Sequence, residues 1–195
     1  MSNVAKVFSA ELDGIEARLI EVETDINAGL HSFNIVGLAD KALSEAKERV
    51  NSALKNIGVK APNKENRKIV VNLAPADVKK TGSQYDLSIA LGYLSAGKQI
   101  KPFNSEDKIF VGELSLGGNL RAVNGALSIA RLAKKLGFKY LFLPKVNAEE
   151  AAIVPEVTVM PVENLQGIID HLEERKAIAP QPQTTIQDSS FLIRE

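Results

Sequence analysis

The sequence predicts an α/β fold, close to α+β, in which a mixed β-sheet packs against helices. Two patterns carry this prediction. The first 36 residues alternate like antiparallel strands, and strand-like and helix-like segments alternate from residue 69 onward. Alternating strands and helices favour βαβ units with parallel pairing. With 195 residues, 45% of them hydrophobic, the chain can form one sizeable domain or at most two small ones.

Three strands are predicted at the start of the chain. β-branched residues are frequent at positions 4–12 and 15–24, and the Asp13-Gly14 pair between them favours a tight hairpin turn. The next extended stretch covers Ser32–Val36.

A helix is predicted after the third strand, because apolar residues recur at helical spacing with charged residues between them. Asp40 is the expected N-cap, and Gly58 is the expected residue after the C-terminus. The apolar face comprises Ala42, Ala46, Val50, Ala53, Leu54 and Ile57.

The second half of the chain is predicted to alternate between the two element types. The predicted strands cover residues 69–73, 108–114, 139–143 and 157–160. Helices are expected between Asp86 and Gly97, between Asn124 and Gly137, and over residues 165–172, with Asp86 and Asn124 as N-caps. A tight turn is expected at Gly117-Gly118.

The C-terminal region differs in composition, so residues 1–176 are predicted as the domain and residues 177–195 as a flexible linker. Residues 180–185 alternate Pro, Gln and Thr without an apolar period, and cannot bury enough surface to offset their ordering entropy. Three apolar residues follow at 191–193, which indicates a piece of a longer chain. An ordinary frayed C-terminus is the alternative.

Composition excludes several classes of site. The chain has no cysteine, and only His31 and His171 could supply imidazole, so we predict no metal site and no thiol chemistry. We find neither a signal-like N-terminus nor a membrane-spanning apolar run, and therefore predict a cytoplasmic protein without membrane contact. The formal net charge is zero, so binding to nucleic acid would need a local patch.

The stretch from Gly92 to Gln99 nearly matches a phosphate-binding P-loop. That motif requires Ser or Thr after Lys98, because the hydroxyl ligates magnesium, and Gln99 takes this place. A P-loop also joins a strand to a helix, whereas this stretch is predicted to end a helix. We therefore predict no nucleotide site here.

The loop before Asp86 carries Ser83 together with Lys79 and Lys80, which suggests a Ser-Lys pair. Lysine can act as the base only if burial lowers its pKa well below about 10.4. On a polar loop, water is expected to keep both lysines protonated, so a connecting loop is favoured over a peptidase. Asp77 is expected to lie in a turn, and Asp86 is expected to act as an N-cap.

Basic residues gather on both sides of the strand predicted at 69–73. If they converge, they form a patch for DNA or another phosphate ligand, in which each contact adds salt-sensitive affinity. A solvated surface is the alternative. The candidate patch comprises Lys64, Arg67, Lys68, Lys79 and Lys80, and a second basic group comprises Arg131, Lys134, Lys135 and Lys139.

Several ordered blocks resemble the N-terminal domain of the ComM/YifB family, the magnesium-chelatase-like AAA+ ATPases of bacteria. The resemblance covers roughly residues 4 to 175, and its blocks are FNIVGLA at 33–39, ExxERVxxAL at 45–54, NLAPAD at 72–77, YDLxIALG at 85–92 and GELSLxG at 112–118. It implies a fold similar to the Lon proteolytic domain and to the second domain of a small-subunit ribosomal protein.

The resemblance also implies that the Lon-type Ser-Lys pair is missing. The position of the nucleophile corresponds to Gln84, one residue after Ser83, and the position of the lysine corresponds to Leu127. A carboxamide and an alkyl group cannot do acid–base work. The family-motif loop is represented by Asn72, Pro75, Asp77, Gly82 and Asp86.

What the resemblance implies for function is a non-catalytic module of a larger ATPase. The module is expected to aid assembly, as a homo-oligomer such as a hexamer, or to contact DNA during DNA remodelling or branch migration in competence. ATP and magnesium are expected in an ATPase domain absent from this fragment, which itself is expected to bind no cofactor. A Ser-Lys peptidase and a protein-interaction scaffold are the alternatives.

Overall fold

The computed structural model describes residues 4–37, 40–64 and 66–185. The strands are β1 (Ala5–Asp13), β2 (Glu16–Ala28), β3 (Ser32–Val36), β4 (Arg67–Ala74), β5 (Lys108–Phe110), β6 (Glu113–Leu114), β7 (Leu120–Arg121), β8 (Tyr140–Pro144) and β9 (Thr158–Val162). The helices are α1 (Lys41–Ser44), α2 (Ala46–Asn56), α3 (Asp86–Ala96), α4 (Ala126–Leu136), α5 (Ala148–Ala151) and α6 (Leu165–Leu172).

Among the described residues, seven strands form one mixed sheet in the order β3-β4-β2-β1-β5-β8-β9. The β1–β2 hairpin and the β2–β4 pair are antiparallel, whereas β3–β4, β1–β5, β5–β8 and β8–β9 are parallel. The predicted α/β class and mixed sheet are confirmed.

Helices cover both faces of the sheet and enclose two apolar clusters. The larger cluster joins α2 and α3 to the inward side chains of β2 and β4, and the smaller one joins α4 and α5 to β8. Almost every residue of α3 is buried, because this helix packs against β1 and β2 on one side and against α2 on the other. Every helix in the described part of the chain is too short or too polar to span a bilayer.

Two predicted elements are interrupted in the structure. The helix after Asp40 is divided at Glu45 into α1 and α2, although Asp40 does cap α1 by accepting from the Leu43 N–H at 2.7 Å. The single strand predicted at 108–114 is also wrong. The backbone N–H of Gly112 donates to the Gln84 carbonyl at 2.8 Å, so the chain leaves the sheet there, and β6 pairs with β7 instead.

Two predicted N-caps are wrong as well. Asp86 is the first residue of α3, and its side chain binds Arg49 instead of capping the helix. At α4 the N-cap is Gly125, in the left-handed conformation, and Asn124 makes no cap bond. The near P-loop stretch does end α3, with Gly97 as the C-cap, so its predicted position at a helix end is confirmed.

The segment predicted as a linker from residue 177 contacts the domain as far as residue 184. Ile178 packs against the larger cluster, and the N–H groups of Gln181 and Thr184 donate to the carbonyls of Val159 and Ala152 at 2.8 and 3.0 Å. These residues are therefore held on the domain surface. The apolar residues at 191–193, and Leu38 and Ala39 of the family motif, lie outside the described residues.

Candidate functional site

The loop between β4 and α3 folds around one buried carboxylate, that of Glu11 on β1. Glu11 accepts from the Thr81 N–H at 3.0 Å, from the Thr81 hydroxyl at 2.9 Å and from the Gln84 side-chain amide at 3.2 Å. The Tyr85 hydroxyl also donates to it. Burial, together with the adjacent carboxylate, raises the pKa of Tyr85, so the phenol stays protonated as a donor.

Sequence reasoning missed Glu11, a residue that is only 4% exposed. A signal was present, because Val7, Ser9 and Glu11 alternate on β1 and therefore share its inward face. A charged residue at an inward position needs buried donors, and the polar loop supplies them.

Ser83 and Glu113 form a second contact in the same cleft. The Ser83 hydroxyl donates to the Glu113 carboxylate, which also accepts from the Arg121 guanidinium at 3.2 Å. The cleft has a volume of about 320 Å³. Its lining comprises Ala10, Glu11, Leu12, Thr81, Gly82, Ser83, Gln84, Glu113, Ala122, Val123, Asn124 and Ile129, so within the described residues neither lysine nor histidine lines it.

The prediction that water surrounds Lys80 is wrong. Its side chain is fully buried, and its amine donates to the Pro75 carbonyl. Burial lowers the pKa of Lys80, as a base would require, yet Lys80 is not among the residues that line the Ser83 cleft. Lys79 is exposed, as expected.

The two positions that correspond to the Lon-type pair have other contacts. The Gln84 side chain is bound to Glu11. Leu127 packs against the smaller apolar cluster, and its backbone N–H donates to Glu150 at 3.0 Å. Neither side chain can transfer a proton in this arrangement.

Asp86 forms a buried ion pair that joins three elements. Its carboxylate accepts from the Arg49 guanidinium of α2 at 2.6 and 3.0 Å and from the Leu114 N–H of β6 at 3.0 Å. Burial raises the pKa of Asp86 to about 6, although both partners favour the ionised form. The Asp86 contacts therefore connect the start of α3 to α2 and β6.

Of the other family-motif residues, Asn72 and Pro75 have structural contacts. The Asn72 amide donates to Glu23 at 2.8 Å across the β2–β4 pair, and Gly82 has a left-handed backbone with φ of 82°. Pro75 and Asp77 are exposed in the loop, where the Pro75 carbonyl accepts from Lys80 and from the Val78 N–H.

The predicted basic patch does not form one surface. Lys64 and Lys68 are exposed and Arg67 is half-buried near the start of β4, whereas Lys79 follows the opposite end of this strand. The strand between them is about 25 Å long, with eight residues at roughly 3.3 Å per residue. Lys80 is buried and cannot contribute. What remains as a candidate surface is the group Lys64, Arg67 and Lys68.

No group of three or more His, Cys, Asp or Glu side chains in the described part of the chain could hold a metal ion.

Comparison with known proteins identifies the family. The family model described as subunit ChlI of Mg-chelatase matches residues 22–147. The chain belongs to the ChlI family. This ChlI-family domain is similar to competence protein ComM of Haemophilus influenzae, with 36% identity over 176 residues that cover 90% of the chain and 34% of ComM. It is similar to uncharacterized protein YifB of Escherichia coli, with 39% identity over 170 residues that cover 87% of the chain and 33% of YifB.

A weaker similarity connects the ChlI-family domain to peptidases. The archaeal Lon protease of Methanocaldococcus jannaschii is 24% identical over 156 residues, which cover 77% of the chain and 24% of the protease. The predicted resemblance to ComM/YifB proteins is confirmed. The chain spans about a third of the length of ComM and YifB.

Proposed function

We propose that this domain is a non-catalytic N-terminal module of a Mg-chelatase-like AAA+ ATPase. One observation carries the proposal: the groups of the Ser83 cleft are bound to carboxylates instead of a lysine. Ser83 donates to Glu113 and Gln84 donates to Glu11, while Leu127 offers only an alkyl group. ATP and magnesium would then bind in a separate ATPase domain of the parent protein.

Ser83 is expected to be unreactive. A reactive serine probe should label the wild-type chain no more than it labels Ser83→Ala, because no lysine among the described residues lines the cleft to take the hydroxyl proton. Intact-mass measurement after incubation reports the adduct, and a Ser-Lys peptidase treated in parallel shows that the probe is active. Labelling of the wild type that disappears in Ser83→Ala would restore the peptidase alternative.

Within the parent protein, the domain would aid assembly or contact DNA. The contact would use Lys64, Arg67 and Lys68, three cations within five positions near the start of β4. The competence name of ComM is compatible with a role in DNA handling. Because the chain has no net charge, such a contact would depend on these local cations.

Replacing all three cations with alanine is expected to lower DNA affinity and its salt dependence. Each lost phosphate contact should reduce the slope of log affinity against log salt by about one unit. Fluorescence anisotropy with single- and double-stranded DNA, at two salt concentrations, measures both quantities.

A matched control replaces Arg131, Lys135 and Lys139, three exposed cations of the second basic group. If the slope of log affinity against log salt falls equally in both triple variants, binding is non-specific and the proposed surface is wrong. If the chain does not bind DNA even with the ATPase domain present, assembly remains as the proposed role. Comparing the oligomer mass of the parent protein with and without this domain then tests that role.

A further inference from the structure

The C-terminal segment of the described chain is held on the domain by three backbone N–H groups. We call residues 177–184 the strap. The N–H of Ile178 donates to Nδ1 of His171 at 3.0 Å, and those of Gln181 and Thr184 donate to main-chain carbonyls of Val159 and Ala152. The contact with His171 differs from the other two, because its acceptor can be protonated.

The strap covers an apolar groove beside α6. Two strap residues, Ile178 and Pro180, help to line this groove, which has a volume of about 570 Å³. The His171 ring lies at its wall, 5.5 Å from the ring centre of Phe142. Release of the strap would therefore open an apolar surface that includes Phe142.

The imidazole can accept the Ile178 N–H only while Nδ1 carries no proton. A proton at Nδ1 would place an N–H against the N–H of Ile178, so the hydrogen bond would be lost and replaced by repulsion. The neutral ring therefore holds the strap, and the charged ring cannot.

The charges around His171 favour the neutral ring. Burial disfavours the charged ring, and Lys108 on β5 also opposes a second positive charge, so the pKa of His171 lies below its ordinary value. On its own helix, Asp170 is engaged by Gln166 and Arg175. The other charged or titratable groups described near the groove are Asp107, which pairs with Lys108 at 2.6 Å, Tyr140 on β8, and Glu173, Glu174 and Lys176 after α6.

We propose that His171 is a proton-sensitive latch, which holds the strap over the groove when neutral and releases it at Ile178 when protonated. The direction of the pH dependence follows from the linkage between proton binding and docking of the strap. A base with a lowered folded pKa makes the unfolded or released state bind more protons, so docking strengthens as pH rises. Docking should be complete above about pH 6.5 and should weaken as pH falls through the pKa of docked His171.

The test measures amide hydrogen exchange of Ile178, Gln181 and Thr184 in the full chain between pH 8 and 5, corrected for intrinsic exchange. The imidazole NMR signal of His171 reports its protonation in the same samples. Protection of Ile178 should fall by about fivefold or more once the ring is protonated, the factor that corresponds to one net hydrogen bond. The backbone amide of Val71, in the centre of β4, should keep its protection throughout.

Two variants distinguish the proposed latch from a role of the His171 ring in packing alone. His171→Gln retains an acceptor without a titrating group, so Ile178 protection should no longer depend on pH. His171→Phe keeps an aromatic ring near Phe142 but removes the acceptor, so protection should be low at every pH. The proposal is overturned if His171 becomes protonated while Ile178 stays protected, if His171 does not titrate before the domain unfolds, or if His171→Gln keeps the wild-type pH dependence.

Discussion

Replacing Arg49 with methionine is expected to lower the free energy of unfolding by about 3–5 kcal/mol at pH 8, the range for breaking a buried ion pair. Methionine fills much of the arginine stem volume but leaves the Asp86 carboxylate buried without its cation. The Asp86 side chain is fully buried and the Arg49 side chain is 17% exposed, so water cannot replace the lost guanidinium. Urea unfolding followed by circular dichroism measures the loss.

The same variant should recover stability on acidification. The folded-state pKa of Asp86 is about 6 in the wild type, above the ordinary value of a carboxyl group, and loss of Arg49 should raise it further. An acid with a raised folded pKa makes the folded state bind more protons, so stability falls as pH rises through that window. The deficit relative to wild type should therefore shrink between pH 8 and pH 5.

Arg18→Met is the matched control, because Arg18 pairs with Asp13 at the surface, where both side chains are more than half exposed. Its loss should stay below about 1 kcal/mol and depend little on pH in this range. Equal losses in the two variants, or a deficit in Arg49→Met that grows on acidification, would contradict the assigned role of the Asp86 pair.

Gly92→Ala is expected to destabilise the domain by about 1–3 kcal/mol, the usual cost of overpacking a core. A β-carbon at Gly92 of α3 would lie 2.6 Å from the Thr24 hydroxyl oxygen and 3.5 Å from its β-carbon on β2. Thr24 is fully buried, so the helix and the strand would have to move apart. Thermal and urea unfolding measure the change.

A double-mutant cycle isolates this contact. The Thr24 hydroxyl has no hydrogen-bond partner within the described part of the chain, so Thr24→Ala removes an unsatisfied polar atom and should change stability little. Together with Gly92→Ala it also removes the clash, so the double variant should recover about 1–2 kcal/mol. Strictly additive losses would show that close packing at Thr24 is not the reason for the glycine.

The helices and strands were predictable because the spacing of apolar residues and the identity of turn residues are local features of the sequence. The Asp13-Gly14 turn between two alternating segments was sufficient to place the β1–β2 hairpin, and Gly97 and Gly137 marked the ends of α3 and α4. The interruption at Gly112 was not predictable in this way, because its cause is a hydrogen bond to Gln84, 28 positions earlier in the chain.

The buried polar residues were the least predictable part of the candidate site. Lys80 lies in a polar segment, and the acceptor of its amine is the Pro75 carbonyl of the same loop. Asp86 stands where an N-cap is common, yet Arg49 from α2 engages it. Local composition describes how a residue behaves beside water, whereas tertiary contacts decide whether water reaches it.

The junction of the sheet between β1 and β5 has a consequence for folding order. Phe8 pairs with Ile109 across this junction, about a hundred positions away, whereas Leu12 and Ala17 pair within the first hairpin. The hairpin closes a short loop, but the junction must wait until the intervening chain has compacted. We therefore expect the β1–β2 hairpin to form early and the β1–β5 pairing to form later.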